Sequence, residues 1–230
     1  MNEIGSALAF GPTPLAIVPC GSGNGLARTL GVSMNPRVAL RQALAGEPRA
    51  IDVGEIAGRL FFNVAGIGFD AHVARIFNRP GNRRGFRRYL YTGMIELFRY
   101  QPRRYVIRGH DSTETSVSEH EALMVVLANG SQYGNGARVS PDARLDDGLL
   151  DLVVIASHSP WRDVLRTRYL FDGTLTRRAG VRLTRVERVS IEDGSDASFL
   201  HADGEPFEHH GPLDVRVHRA ALRVVAPLPG

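Results

Sequence analysis

The sequence predicts a short α/β section followed by a β-rich domain of sandwich or barrel type, and two observations carry that prediction. First, an apolar run at residues 15–18 feeds a turn that holds Gly21, Gly23 and Gly25, and a helical stretch at 26–30 leaves it. Second, from residue 50 onward short strand-like runs recur between turn signals at Asp147-Gly148, Asp193-Gly194 and Asp203-Gly204.

Taken in order, residues 2–10 are helix-compatible, and Gly11-Pro12-Thr13-Pro14 ends them before a short buried strand at 15–18. The glycine turn lets backbone approach a ligand without a Cβ in the way, and the helix start behind it offers N–H groups to an anion. Asn35-Pro36 reads as N-cap and first residue of a helix over 37–45, closed by Gly46. One strand among these helices cannot form a sheet alone. Residues 50–57 and 60–65 read as a hairpin about Gly58, and Gly66-Ile67-Gly68-Phe69-Asp70 as a second glycine-rich bend before a helix at 71–78. A helix is expected from residue 86 within the basic stretch 83–100. Strands follow at 104–109, 121–128 and 149–155, a helix at 160–171, and strands at 181–192, 198–202, 213–218 and 222–225. The expected division is 1–48 for the α/β part and 49–230 for the β domain.

A chain of 230 residues, 43% hydrophobic and 23% charged, has the length and composition of a protein with a real core. No apolar run reaches the ~18 residues of a membrane span, and the start has no secretory pattern. The single cysteine, Cys20, excludes an internal disulfide and fits a reducing cytoplasm. All 28 basic residues are arginine, which excludes a Walker A lysine, a lysine Schiff base and a protein-kinase strand lysine. Any cation that grips phosphate here is arginine or a metal.

Arg75, Arg79, Arg83, Arg84, Arg87 and Arg88 follow one another with no acid between them, as a solvated basic face or an anion site. Nucleic acid is disfavoured, since no nucleic-acid motif accompanies them. Asp203-Gly204-Glu205 places two carboxylates on one bend, suited to divide metal and base roles. His201, His209 and His210 have no zinc spacing and are taken as surface histidines. Ser22 lacks a nucleophile elbow, Cys20 has no nucleophile signature, and the three glycines do not give the Rossmann spacing.

Four blocks together resemble the diacylglycerol kinase catalytic-domain family, which includes bacterial lipid kinases and sphingosine kinases. They are Pro19 to Asn24 with Leu26-Ala27-Arg28; Phe62 to Ala71; Asn129-Gly130 with Tyr133-Gly134-Asn135-Gly136 and then 141–150; and Asp203-Gly204-Glu205. The resemblance implies an α/β ATP-binding domain, a β-sandwich domain and a cleft between them. It implies transfer of the ATP γ-phosphate to a lipid hydroxyl with Mg²⁺ as cofactor. Carried onto this sequence, Glu3, Gly21, Ser22, Gly23 and Asn24 would contact nucleotide, with Arg83 and Arg88 at the phosphates. Glu205 would be the general base, with Asp203 beside it, and Asp70 would face the cleft or lipid head group. Asp147 and the carbonyls of Arg144 and Leu149 would hold Mg²⁺. The implied setting is cytoplasmic, with peripheral contact to a membrane surface; a homodimer is allowed.

Two departures from the pattern follow. The family's Gly-Gly-Asp-Gly-Thr loop would stand just before Met1, so a truncated α/β domain is expected and the 230 residues alone are expected to bind ATP poorly. Gly25 stands where bacterial diacylglycerol kinases usually carry aspartate, which slightly tilts the substrate toward a sphingoid base or another lipid. Two alternatives stay open, an NAD-kinase-like phosphotransferase and a non-catalytic lipid-binding remnant.

Overall fold

The computed structural model describes residues 1–21, 23–78, 86–110 and 115–227, with no account of the side chains at 86–89, 110 and 115. The helices are α1 (Asn2–Leu8), α2 (Gly25–Thr29), α3 (Pro36–Ala45), α4 (Phe69–Phe77), α5 (Phe86–Leu97), α6 (Pro160–Arg166) and α7 (Arg168–Asp172). The strands of the first half are β1 (Leu15–Ala16), β2 (Pro48–Ile56), β3 (Arg59–Phe61), β4 (Val64–Gly68), β5 (Arg103–His110), β6 (Thr115–Ala122), β7 (Met124–Ala128) and β8 (Gln132–Gly134). Those of the second half are β9 (Ala137–Arg138), β10 (Leu150–Ile155), β11 (Val181–Val186), β12 (Arg188–Glu192), β13 (Ala197–Ala202), β14 (Glu205–His210) and β15 (Leu213–Val225).

Two antiparallel sheets face each other. One runs β3-β2-β15-β12-β5-β6, with β1 added parallel to β15; the other runs β11-β10-β7-β4-β13-β14. Between them lies a core to which both sheets contribute, including Ile56, Tyr105 and Leu213 from the first and Ile67, Leu127 and Leu150 from the second. The alternation on β10 shows why the second sheet reads as a continuous apolar run. Leu150, Leu152 and Val154 face the sandwich core, while Val153 and Ile155 enter a second cluster with Val139 and Leu175 on the opposite face. On the outer face of the first sheet, Leu26 and Ala27 of α2, Leu30 just past it and Ala39 of α3 cover Ile51, Val53, Leu222 and Val224.

The α/β-then-β character holds, and α3 is capped as expected: the Asn35 side chain accepts the Arg37 N–H at 3.0 Å, with Pro36 at the first helical position. Three expected strands are each two strands in different sheets. Residues 60–65 split into β3 and β4, 121–128 into the end of β6 and β7, and 181–192 into β11 and β12. Alternation passes through such a corner unchanged, because the chain moves from one inner face to the other. The expected bend at 66–68 is the end of β4, fully buried. Expected strands 213–218 and 222–225 are one strand, β15, with a register shift between His218 and Leu222. The expected buried strand at 15–18 is only β1, where Leu15 is half-buried and Ala16 exposed, because it pairs with β15 alone. The helix expected at 160–171 is α6 and α7, which meet at Thr167.

Candidate functional site

Asn63 ties together three segments far apart in sequence. Its N–H donates to Asp203 Oδ1 at 2.9 Å, its Nδ2 donates to the Gln132 carbonyl at 2.9 Å, and its carbonyl accepts the N–H groups of Asn129 and Gly130. The glycine turn docks on the same place. Asn24, left-handed at φ 54°, bridges Gly134, and the Asn135 N–H reaches the Gly23 carbonyl at 3.3 Å. A Cβ on Gly134 would come within 2.5 Å of the Gly23 oxygen, so these two glycine-rich segments meet backbone to backbone.

The four segments line one cleft of about 480 Å³, whose walls include Gly23, Asn24, Gly25, Asn63, Tyr133, His201, Asp203 and Glu205. Glu205, at the start of β14, is exposed there. Asp203 is not a free acid. With φ at 51°, its Oδ1 accepts from Asn63 and Val64 N–H, and its Oδ2 accepts from Phe62 N–H and the Asn2 amide. Asp203, expected beside the base, thus lines the cleft as an anchored group: three main-chain N–H donors hold its carboxylate to the β3–β4 connection, next to the Gly204 turn that leads to Glu205.

His201 is buried, not a surface histidine. Its Nδ1 accepts the Gly204 N–H at 3.2 Å, which leaves the proton on Nε2 to donate to Asp70 Oδ2 at 3.1 Å. Tyr133 donates its hydroxyl to the same Asp70 oxygen at 3.1 Å, and Asp70 Oδ1 accepts the Ala71 N–H. A Cβ on Gly66 would stand 1.9 Å from Asp70 Oδ2, so glycine at 66 makes room for its carboxylate.

Behind Asp70 and Tyr133 lies a second cavity of about 160 Å³, walled by apolar side chains that include Val73, Leu90, Met94, Leu97, Leu123 and Leu170. Tyr133 lines both spaces, and Asp70 forms part of the apolar wall while bonding His201 in the polar one. A polar cleft and an apolar chamber therefore adjoin at buried Asp70 and His201 with half-buried Tyr133. Sequence reasoning missed His201, Tyr133 and Asn63 as parts of the site; Tyr133 and Asn63 stood within the quoted blocks.

The other expected residues fall as follows. Gly21 and Glu3, both expected at the nucleotide, are exposed and stand off the cleft wall, where Asn2 lies instead; Glu3 is in the first turn of α1. Ser22 and Arg83 lie outside the described residues, as does the Arg88 side chain. Among the described residues no arginine lines the cleft. Arg75 stacks on Phe199 with its guanidinium 4.4 Å from the ring centroid. Gly25 packs where a Cβ would come within 2.4 Å of Asn63 Nδ2 and 2.7 Å of the Tyr133 oxygen, so close packing accounts for glycine at this position. Arg144, Asp147 and Leu149 share the loop before β10 and do not line the cleft. That loop is anchored by buried Asp52, whose Oδ2 accepts the Gly148 N–H and whose Oδ1 accepts the Ala220 N–H. Asp147 Oδ1 accepts the Leu149 N–H at 3.1 Å. One carboxylate with main-chain carbonyls is a hard-oxygen set that suits Mg²⁺.

Fold and cleft first define a class: a two-sheet antiparallel sandwich with a glycine-turn α/β section on one outer face and a cleft at the junction. Comparison with known proteins then narrows it. Residues 63–226 match the YegS C-terminal NAD kinase beta sandwich-like domain, and residues 1–56 match the diacylglycerol kinase catalytic domain. A Pseudomonas aeruginosa protein named "Probable lipid kinase YegS-like" is 33% identical over 99% of this chain and 73% of its own length. A Mycobacterium tuberculosis protein named "Diacylglycerol kinase" is 32% identical over 97% of this chain and 72% of its own. A solved diacylglycerol kinase structure from Bacillus anthracis shares the fold, with a TM-score of 0.65 at 19% identity over 94% of this chain and 67% of that one. The chain belongs to the diacylglycerol kinase catalytic-domain family, with the YegS-type C-terminal sandwich.

Proposed function

We propose that this chain is an ATP-dependent lipid kinase, in which a lipid hydroxyl enters the cleft beside Glu205. The observation that carries the reading is the junction of the polar cleft with the apolar chamber at Asp70, Tyr133 and His201. A lipid with a polar head and an apolar tail is the ligand class that such a pair of spaces accommodates. Relatives named as lipid and diacylglycerol kinases support the same class.

In this reading Glu205 accepts the proton of the lipid hydroxyl as its oxygen becomes a nucleophile. Asp203 and His201 hold the Gly204 turn and so the approach of Glu205, while Asp70 and Tyr133 receive polar groups of the lipid head. Ile17, Leu26 and Phe77 with the amides of Asn24, Asn78 and Asn135 give the cleft a mixed apolar and amide lining that suits a nucleotide base and ribose. ATP with Mg²⁺, when bound, would supply the transferable phosphoryl group and neutralise its charge. Asp147 with the carbonyls of Arg144 and Leu149 would hold a Mg²⁺ away from the cleft, in a structural role.

The test is a radiolabelled-ATP assay of this chain against diacylglycerol, a sphingoid base and NAD. Label on a lipid supports the reading. Label on NAD alone, or on nothing, overturns it.

A further inference from the structure

We propose that Tyr91, Ile95, Phe98, Trp161 and Leu165 form the surface by which this chain docks on an anionic phospholipid bilayer. Tyr91 and Ile95 of α5 and Phe98 just beyond it are spaced four and three residues apart, which puts them on one face. Trp161 and Leu165 share a face of α6 in the same way. The two faces join through an edge-to-face contact of Phe98 with Trp161, ring centroids 4.8 Å apart. Trp161 is 72% exposed and Leu165 65%. Five large apolar side chains left together in water are unusual on a soluble surface and mark a contact site.

Charge and position name the occupant. Arg99 follows Phe98, Arg162 follows Trp161 and Arg168 opens α7, all three exposed. Arg99 lies 3.4 Å from Glu96 and Arg168 donates to the neutral Tyr169 hydroxyl, so this end of the helices carries basic charge that complements anionic head groups. Tryptophan and tyrosine favour the membrane–water interface, where the ring is half apolar and half wet. The same helices turn their other sides to the apolar chamber: Leu90, Met94 and Leu97 from α5, and Leu170 from α7 beyond α6. A chain docked by this strip would hold the chamber directly behind the bilayer contact. The choice of a bilayer as the occupant rests on the lipid-kinase reading; the vesicle experiment does not depend on it.

Trp161 is the sole tryptophan of the chain, so its emission reports the strip directly. The probe is a vesicle of phosphatidylserine and phosphatidylcholine, lipids without a free hydroxyl to phosphorylate, set against pure phosphatidylcholine. The expected result is a blue shift of Trp161 emission with co-sedimentation, favouring the anionic vesicle by about fivefold for each exposed arginine engaged. Leu165→Asp, at an exposed position that leaves Trp161 in place, is expected to weaken partition by about tenfold or more with an unchanged circular dichroism spectrum. No shift on anionic vesicles, or equal binding by Leu165→Asp, overturns the proposal. So does a concentration-dependent dimer that shifts the emission without vesicles and dissociates in the variant. Vesicle docking without turnover of any lipid would sink the kinase reading alone; turnover of detergent-dispersed lipid without vesicle docking would sink the docking surface alone.

Discussion

His201 and Asp70, 131 residues apart, meet at 3.1 Å through Nε2 and Oδ2, and the other imidazole nitrogen accepts the Gly204 N–H. The ring thereby links helix α4 to the turn that presents Glu205. His201→Leu keeps bulk but leaves Asp70 short of one buried partner and strands the Gly204 N–H. The expected loss is about 1–3 kcal/mol in urea unfolding. If the ring also positions Glu205, turnover falls while the apparent affinity for nucleotide stays unchanged.

Asp203 accepts three main-chain N–H groups and the Asn2 amide. Asp203→Asn turns an –NH₂ group toward at least one of those donors and removes the charge. The expected cost is about 2–3 kcal/mol, read as a fall in melting temperature of roughly 2–4 °C per kcal/mol for a chain of this size. Asn2→Ala removes one of those four bonds, along with the Asn2 bonds to the Leu60 carbonyl and from the Ser6 hydroxyl, but leaves the three main-chain donors satisfied, and is expected to cost about 1 kcal/mol. Equal effects from the two variants would contradict the assignment of Asp203 as the anchor.

Glu205→Gln keeps the size of the side chain and removes the base. Expected is a loss of lipid turnover with nucleotide binding retained, by equilibrium dialysis of labelled ATP. Turnover within about tenfold of the parent would place the base elsewhere.

Glycines in this chain answer to two different pressures. Gly25→Asp, the change toward the bacterial diacylglycerol kinase pattern, drives a Cβ against Asn63 and the Gln132 and Tyr133 carbonyls. It is expected to destabilise by at least about 1–3 kcal/mol, whatever its effect on substrate choice. Gly93, within α5, has nothing within 4 Å of an added Cβ. Gly93→Ala is expected to stabilise by about 0.5–1 kcal/mol through helix propensity, measurable by thermal unfolding.

Asp193 sets an acid limit. Its side chain is 2% exposed, and burial alone would raise its pKa; hydrogen bonds from the Ser195 and Ser198 hydroxyls and the Ser195 N–H, with Arg103 at 3.2 Å, outweigh that and hold it below the ordinary range. A carboxylate depressed in the folded state contributes stability above its unfolded pKa, and the contribution is lost as pH falls through the folded value. Asp193→Asn is therefore expected to be less stable than the parent at pH 7, with the gap closing below about pH 4. A gap that stays constant from pH 7 to pH 3 would contradict this account.

Much of this arrangement is legible in the primary structure. The glycine turns, the Asn35-Pro36 cap and the spacing of the four blocks are local, set by what backbone conformations glycine, asparagine and proline allow. The blocks name the residues that later share one cleft. They do not reveal that Asn63 is the hub, because its partners at 129, 132 and 203 are chosen only when β4 is flanked by β7 and β13.

The sequence by itself determined the order of elements, the apolar faces of the strands and the chemistry available without lysine. Only the tertiary structure decided which sheet each strand joins, since a period of two specifies a buried face and not its partner. It also decided that Asp203 is an anchor and that Glu205 stands exposed in the cleft. Last, it took His201 from an apparent surface cluster into the core, because burial and hydrogen-bond partners belong to contacts across more than a hundred residues rather than to neighbours in the chain.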